Sequence, residues 1–294
     1  MKLQGIYPAL ATPFDADGNV YEEKILHNIR KLNQIALAGY TVCGSTGETP
    51  LMNFDERLQV LDCVRQASAD GKTLIAGIGF ESVRETVRMA NKAAELGYHF
   101  GLTLTPHYYK NQIQRPEVQA LFFRAVADQS RLPVLLYNMP GATGYDLPVD
   151  SIAELSHHPN IVGMKDSSGN LDKIKETVKA VKPGFQVLSG SGANFGVALE
   201  LGAVGGVLAI ANAVPYACVT IWEAFRTREH DAAHDWQNRL AVPARLVPTK
   251  YGIAGLKYAM DLKGYYGGPP RLPLMLPSPE AKREIERALE DLPS

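Results

Sequence analysis

The sequence has few cysteines, no block of like charge and no long apolar stretch. Its three cysteines, Cys43, Cys63 and Cys218, are odd in number and far apart, which argues against a disulfide framework and fits a reducing compartment. The C-x-x-C spacing of many zinc and dithiol sites is absent. Thirty basic residues stand against 31 acidic ones, a formal charge of −1, and neither sign clusters. With no basic stripe, neither nucleic acid nor a membrane surface is an expected partner. The least charged stretch, AVGGVLAIANAV at 203–214, is too short to span a bilayer. The first residues, MKLQGIYPAL, have no apolar core after their lysine and none of the Arg- and Ser-rich character of a transit peptide, so the cytoplasm is the expected compartment.

What the sequence does have is alternation. With 46% hydrophobic and 21% charged residues it has the balance of a soluble globular protein. Its 294 residues suit two modest domains or one α/β barrel, a fold of about 250 residues. Strand-like runs occur at 5–14, 40–45, 73–79, 99–106, 133–140, 161–167, 185–191 and 205–212. They are nearly continuous in apolar residues, as strands covered on both faces should be. Between them lie helical patterns such as EEKILHNIRKLNQIALAG (22–39), NFDERLQVLDCVRQA (53–67) and ESVRETVRMANKAAELG (81–97). The first and third close on Gly39 and Gly97, and the second opens with Asn53 and Glu56 at capping-box spacing. Eight βα units predict a (β/α)8 TIM barrel in preference to an open doubly wound sheet. After Tyr216 only helical segments follow, at 216–240, 251–264 and 278–292. The expected division is a barrel catalytic domain over 1–224 and a C-terminal helical extension over 225–294.

In such a barrel the chemistry sits at the carboxyl ends of the strands. Those ends gather hydroxyls and glycines around one lysine, Lys165, in IVGMKDSSGN (161–170). An amine that ends an apolar run either snorkels to water or is held partly dry. Desolvation lowers an amine's pKa, and a free amine can attack a carbonyl to form a Schiff base. By itself Lys165 reads as a snorkelling lysine or one paired with Asp166. Its company changes the reading, because Tyr137 ends the adjacent strand and can carry the protons this chemistry moves. GSTGE (44–48) either aims successive N–H groups and two hydroxyls at one anion, such as a carboxylate beside a ketone, or is a plain turn using glycine for positive φ.

Three weaker signals are set aside or left open. GSGANFG (190–196) has the form of a dinucleotide loop, but the matching acidic residue is missing. His230 and His234 have zinc-site spacing yet lie in the polar tail, and they read as a solvated helix face. No cofactor and no metal are therefore expected. Tyr108 and Tyr109 read equally as packing residues or as part of a proton path.

Taken together, GSTGE, TPHYYK (105–110), YNMPGATG (137–144), GMKDSSGN (163–170) and LSGSGANF (188–195) resemble the pyruvate-dependent class I aldolase family that includes dihydrodipicolinate synthase and N-acetylneuraminate lyase. Within it, LSHHPNIVGMKDS (155–167) and GIAGLKYAMDLKGYYGGPPRLPL (252–274) are most similar to the 4-hydroxy-2-oxoglutarate aldolases. The resemblance implies that Lys165 is the Schiff-base lysine and Tyr137 the acid/base. It implies that Ser45 and Thr46 bind the carboxylate of pyruvate, and that Ser45 links Tyr137 to Tyr108 in a proton relay. It further implies that Ser167 lines the pocket, that the backbone at Gly190 and Leu208 approaches the substrate, and that the chain forms a homotetramer, a dimer of dimers, with Tyr108 or Tyr109 near a subunit contact.

The departures narrow the substrate. Ala142 stands where the synthases usually carry an arginine that clamps the carboxylate of the second substrate, and a bidentate pair of that kind is strong. Phe54, Arg57 and His107 replace the histidines and tyrosine usual in lysine-regulated synthases. The expected activity is cleavage of 4-hydroxy-2-oxoglutarate, or a related 2-oxo-4-hydroxy acid, to pyruvate and glyoxylate. The alternatives are condensation of pyruvate with aspartate semialdehyde and a non-catalytic barrel that binds a keto acid.

Overall fold

In the computed structural model, which describes residues 1–293, each apolar run becomes a strand and then leaves the sheet before the run is spent. The strands are β1 Gly5–Pro8, β2 Gly39–Val42, β3 Thr73–Gly77, β4 Phe100–Leu104, β5 Val134–Asn138, β6 Ile161–Asp166, β7 Gln186–Ser189 and β8 Gly205–Leu208. All pair in parallel, in the order β1-β8-β7-β6-β5-β4-β3-β2. The ring closes between β1 and β2 through the Ala9–Thr41 bridge, with Leu10 N donating to Thr41 O at 2.9 Å. An open doubly wound sheet is excluded. The apolar residues past each ladder form the rim that carries the polar groups.

The helices that wrap the barrel are α1 Glu22–Leu32, α2 Phe54–Ala67, α3 Val83–Glu95, α4 Pro116–Gln129, α5 Val149–Ser156, α6 Leu171–Ala180, α7 Phe195–Glu200 and α8 Pro215–Arg226. The capping box of α2 forms as its spacing predicts: Asn53 Oδ1 accepts from Glu56 N at 2.9 Å, and Asn53 N donates to Glu56 Oε2 at 2.8 Å. A cap of this kind contributes about 1 kcal/mol. Helix α1, expected to reach Gly39, ends at Leu32. Gly39 instead opens β2, where a Cβ would fall 1.8 Å from Thr73 O, so its small size serves strand pairing and not a helix end.

Strand alternation sorts the side chains into two cores. Tyr7, Ile75, Phe100, Leu102, Leu135, Tyr137, Leu188 and Val207 fill the barrel interior. Val134, Leu136 and Met164 face outward into the larger layer beneath the helices.

The predicted helix over 216–240 is two helices. Helix α8 stops in a Schellman motif: Arg228 takes φ +65°, its N–H donates to Phe225 O at 3.1 Å, and Glu229 N–H donates to Ala224 O at 2.8 Å. Glycine usually holds that position, so no stop signal is visible there in the sequence. Helix α9 His230–Arg245 follows, then a π-helical turn Leu246–Lys250, α10 Gly252–Leu262 and α11 Pro279–Leu289. Among the described residues no helix is long and apolar enough to cross a membrane. The three thiols are free and buried, and burial pushes those of Cys43 and Cys218 up to about 12, which leaves them un-ionised at neutral pH.

Candidate active site

Lys165 and Tyr137 are neighbours in register on β6 and β5. Both side chains point into the barrel mouth and each is 4% exposed. The Lys165 Nζ lies 4.2 Å from the centroid of the Tyr137 ring. Asp166, one residue on, points to the opposite face of the strand. There it accepts from Asn138 Nδ2 at 2.8 Å and from the Ser168 hydroxyl at 2.5 Å. The ion pair that would have explained Lys165 as structural is therefore not formed.

Two other buried lysines show what a structural lysine looks like here. Lys173 pairs with Asp146 and donates to Leu147 O at 2.6 Å. Lys257 lies 2.5 Å from Glu48 Oε1 and donates to Pro269 O at 3.0 Å. Among the described residues Lys165 has no carboxylate partner, and it opens onto a cavity.

The Tyr137 hydroxyl is held by Ser45 Oγ at 3.5 Å and donates to Met139 Sδ at 2.9 Å. Burial alone would raise the phenol's pKa. The adjacent Lys165 charge, together with hydrogen bonds from Ser45, Lys165 and Ser167, outweighs burial and holds it below the ordinary value of 10.0. A lowered phenol pKa brings the phenolate within reach as a base.

The turn carrying Ser45 and Thr46 is strained, but not at its glycines. Cys43 and Glu48 take φ +57° and +58°, whereas Gly44 has φ −85°. Gly47 is small for a different reason: a Cβ there would sit 3.1 Å from Leu10 O and 3.2 Å from Thr12 Oγ1. The first closure of the 3-10 turn is Gly47 N to Gly44 O at 3.0 Å, which leaves the Ser45 and Thr46 amides ahead of it, unused by the turn. Glu48 anchors this turn to the C-terminal extension through Lys257 and through Arg271 N, which donates to its Oε2 at 2.7 Å.

These groups share one cavity of about 680 Å³, lined by Lys165, Tyr137, Ser45, Thr46, Ser167 and Gly190 among others. A Cβ on Gly190 would meet Ser167 Oγ at 1.9 Å, so only glycine leaves that hydroxyl its place. The structure brings together six of the eight residues singled out from the sequence.

Two are corrected. Leu208 is fully buried beneath the helices and its carbonyl accepts from Ala9 N at 3.1 Å; the cavity is lined by Val207 and Ala209 instead. Tyr108 is 75% exposed, and within the chain no hydrogen bond joins it to Ser45. It stacks edge-on against Tyr109 and borders a second cavity of about 410 Å³ that shares Ser45 and Tyr137 with the first. Arg57 and His107 line that second cavity, where Arg57 gives its donors to Gly79 O and Thr49 O. His234 lies elsewhere on α9, 2.9 Å from Glu200.

Sequence reasoning also missed contributors. The 190–196 loop is a docking strip for α9. Gln237 Nε2 donates to Gly192 O and Ala193 O at 3.1 Å, and Gln237 Oε1 accepts from Gly196 N at 2.7 Å. That contact brings the end of α9 and the π-turn, with Ala244, Arg245, Pro248 and Thr249, into the cavity wall. The interruption of the helical pattern by Pro243 and Pro248 was the available signal.

Residues 2–292 match the model of the dihydrodipicolinate synthetase family. The chain is 34% identical to a 4-hydroxy-tetrahydrodipicolinate synthase of Methanothrix thermoacetophila over 98% of both chains. It is equally 34% identical to a probable mitochondrial 4-hydroxy-2-oxoglutarate aldolase of Emericella nidulans, over 98% of this chain and 94% of the relative. Among solved structures, a dihydrodipicolinate synthase of Bacillus anthracis superposes with a TM-score of 0.94 at 26% identity, covering 100% of each chain. A chloride-inhibited dihydrodipicolinate synthase of Acinetobacter baumannii complexed with pyruvate gives 0.93 at 28% identity over 99% of each. The likeness runs the length of the chain and through the rim that carries Lys165 and Tyr137, and the protein belongs to the dihydrodipicolinate synthetase family.

Proposed function

We propose that the protein is a class I lyase that cleaves 4-hydroxy-2-oxoglutarate, or a close 2-oxo-4-hydroxy relative, to pyruvate and glyoxylate. One observation carries the reading: Lys165 is buried without a carboxylate, against a tyrosine whose pKa is lowered. The Lys165 amine adds to the C2 ketone, and loss of water leaves a protonated imine. The C1 carboxylate sits on the Ser45 and Thr46 amides and hydroxyls. Tyr137, as phenolate, takes the proton of the C4 hydroxyl while the C3–C4 bond breaks. Glyoxylate departs, and the bonding pair moves into the imine to give an enamine. Protonation at C3 and hydrolysis then release pyruvate and restore the amine. The electron sink is the protein's own imine, so the sequence of steps calls for no added cofactor.

Pyruvate with borohydride should inactivate the protein and add the reduced adduct's mass at Lys165. An unmodified lysine after that treatment would refute the mechanism.

A second reading, condensation of pyruvate with aspartate semialdehyde, is favoured by the name of the Methanothrix relative. Against it stands Ala142, exposed on the short turn Pro140–Thr143, where only a methyl is presented. Comparing kcat/KM for the two substrates decides, and much faster condensation would overturn our preference. A silent keto-acid-binding barrel would instead bind pyruvate equally well after Lys165→Ala. We assign the protein to the cytoplasm and to a homotetramer, in support of which the exposed Tyr108–Tyr109 pair is the kind of surface a subunit contact would cover.

A further inference from the structure

With Ala142 in place of a clamping arginine, the cavity needs another group if its substrate carries a second carboxylate. The residues lining it include only two charged side chains, Lys165 and Arg245, and no carboxylate. Lys165 belongs to the barrel strand β6. Arg245 comes from the C-terminal helices, at the last residue of α9, where the chain enters the π-turn. In the C-terminal extension Arg239 pairs with Asp235, Arg271 with Glu56 and Arg283 with Glu280, and Arg228, which has no such partner among the described residues, does not line the cavity. Arg245 has no side-chain hydrogen bond or ion pair among the described residues.

A C-terminal arginine interacts favourably with its helix dipole, and that alone would justify the residue type. It does not account for the residue's place in the cavity wall. Gln237 fastens α9 to the 190–196 loop, and Ala244 packs against Gly192, where a Cβ would be 3.2 Å from the Ala244 methyl. The next residue is thereby set at the cavity wall. The π-turn widens the backbone at this point, a distortion commonly found at functional sites. A cavity lined by a lysine and an unpaired arginine, with no carboxylate among its lining residues, is complementary to a dianion.

We infer that Arg245 is the specificity-determining residue for the distal carboxylate: the protein's ligands are 2-oxo dicarboxylic acids whose C1 carboxylate rests on Ser45 and Thr46 and whose far carboxylate is held by Arg245. This rests on the proposed keto-acid reading, but it is testable without turnover. The probes are 2-oxoglutarate and 2-oxopentanoate, which share a chain length and differ in the far carboxylate. Their dissociation constants are measured by titration calorimetry on the full chain.

Charge-assisted hydrogen bonds of this kind correspond to about 10- to 100-fold in affinity. The wild type should therefore prefer 2-oxoglutarate by at least about 10-fold, and Arg245→Gln should bring the ratio close to one. Arg245→Lys, which keeps the charge but loses the planar fork, should fall between them. Arg245 is exposed and unpaired, so these variants should melt with the wild type, and that is checked alongside. No preference in the wild type, or a preference that survives Arg245→Gln, overturns the inference. Binding of neither acid overturns it too. If the preference is present and depends on Arg245 while 4-hydroxy-2-oxoglutarate is not cleaved, the inference stands and the proposed reaction fails.

Discussion

Lysine and tyrosine set each other's chemistry when one lies over the other's ring. At Tyr137 the Lys165 charge is the largest of the influences that lower the phenol's pKa against burial. Replacing the lysine by methionine removes the charge and leaves the desolvation. The Tyr137 phenol of Lys165→Met should then titrate above its wild-type value, as read from the phenolate absorbance difference against Tyr137→Phe. A phenol that does not move would mean the lysine is not the cause. The same shift has a consequence for stability. The folded value lies below 10.0, so the phenolate contributes stability that is complete above pH 10.0 and is lost as pH falls through the folded value. The melting temperature of wild type relative to Tyr137→Phe should accordingly rise on the alkaline side only. For turnover, Tyr137→Phe should cost about 10²- to 10⁴-fold, the usual contribution of a positioned acid/base, with the fold retained. Wild-type rates in that variant would remove Tyr137 from the mechanism.

At the scale of elements, the turn over 44–48 and the helix α10 depend on each other through one buried pair. Glu48→Gln would leave the Lys257 ammonium buried without its counter-charge, a change that typically costs about 3–5 kcal/mol. The unfolding midpoint in denaturant should drop, and KM for the keto acid should rise as the carboxylate-binding turn loosens. An unchanged KM would show that the turn holds its shape unaided. This dependence also marks where the sequence was legible. Lys165 and Tyr137 could be read because both end buried strands, and in a strand the face follows from the residue number. At the end of β8 the face alternates in the same way, so Val207 and Ala209 line the cavity while the Leu208 side chain packs beneath the helices. The Glu48–Lys257 and Gln237–Gly192 contacts join segments far apart in the chain, which no local pattern reports. The break at Arg228 was hidden because arginine stands where glycine normally announces the stop.

For the whole molecule, the barrel explains why the site is robust and the surface why it need not be complete in one chain. The interior around Tyr137 is filled by Tyr7, Phe100, Leu102, Leu135, Leu188 and Val207, so the reacting groups are held by a packed core. Tyr108 and Tyr109 project at 75% and 63% exposure beside the second cavity. If the proposed tetramer buries them, Tyr108→Ala with Tyr109→Ala should lower both the sedimenting mass and the turnover. A variant of unchanged mass would place the contact elsewhere.

The mouth of the cavity is closed on one side by strand-end loops and on the other by the end of α9, held there by Gln237. Bond making and the selection of what enters are thus written in separate stretches of the polypeptide. A lineage could exchange residues along that outer wall, and so change diet, while the lysine and its phenol stay as they are.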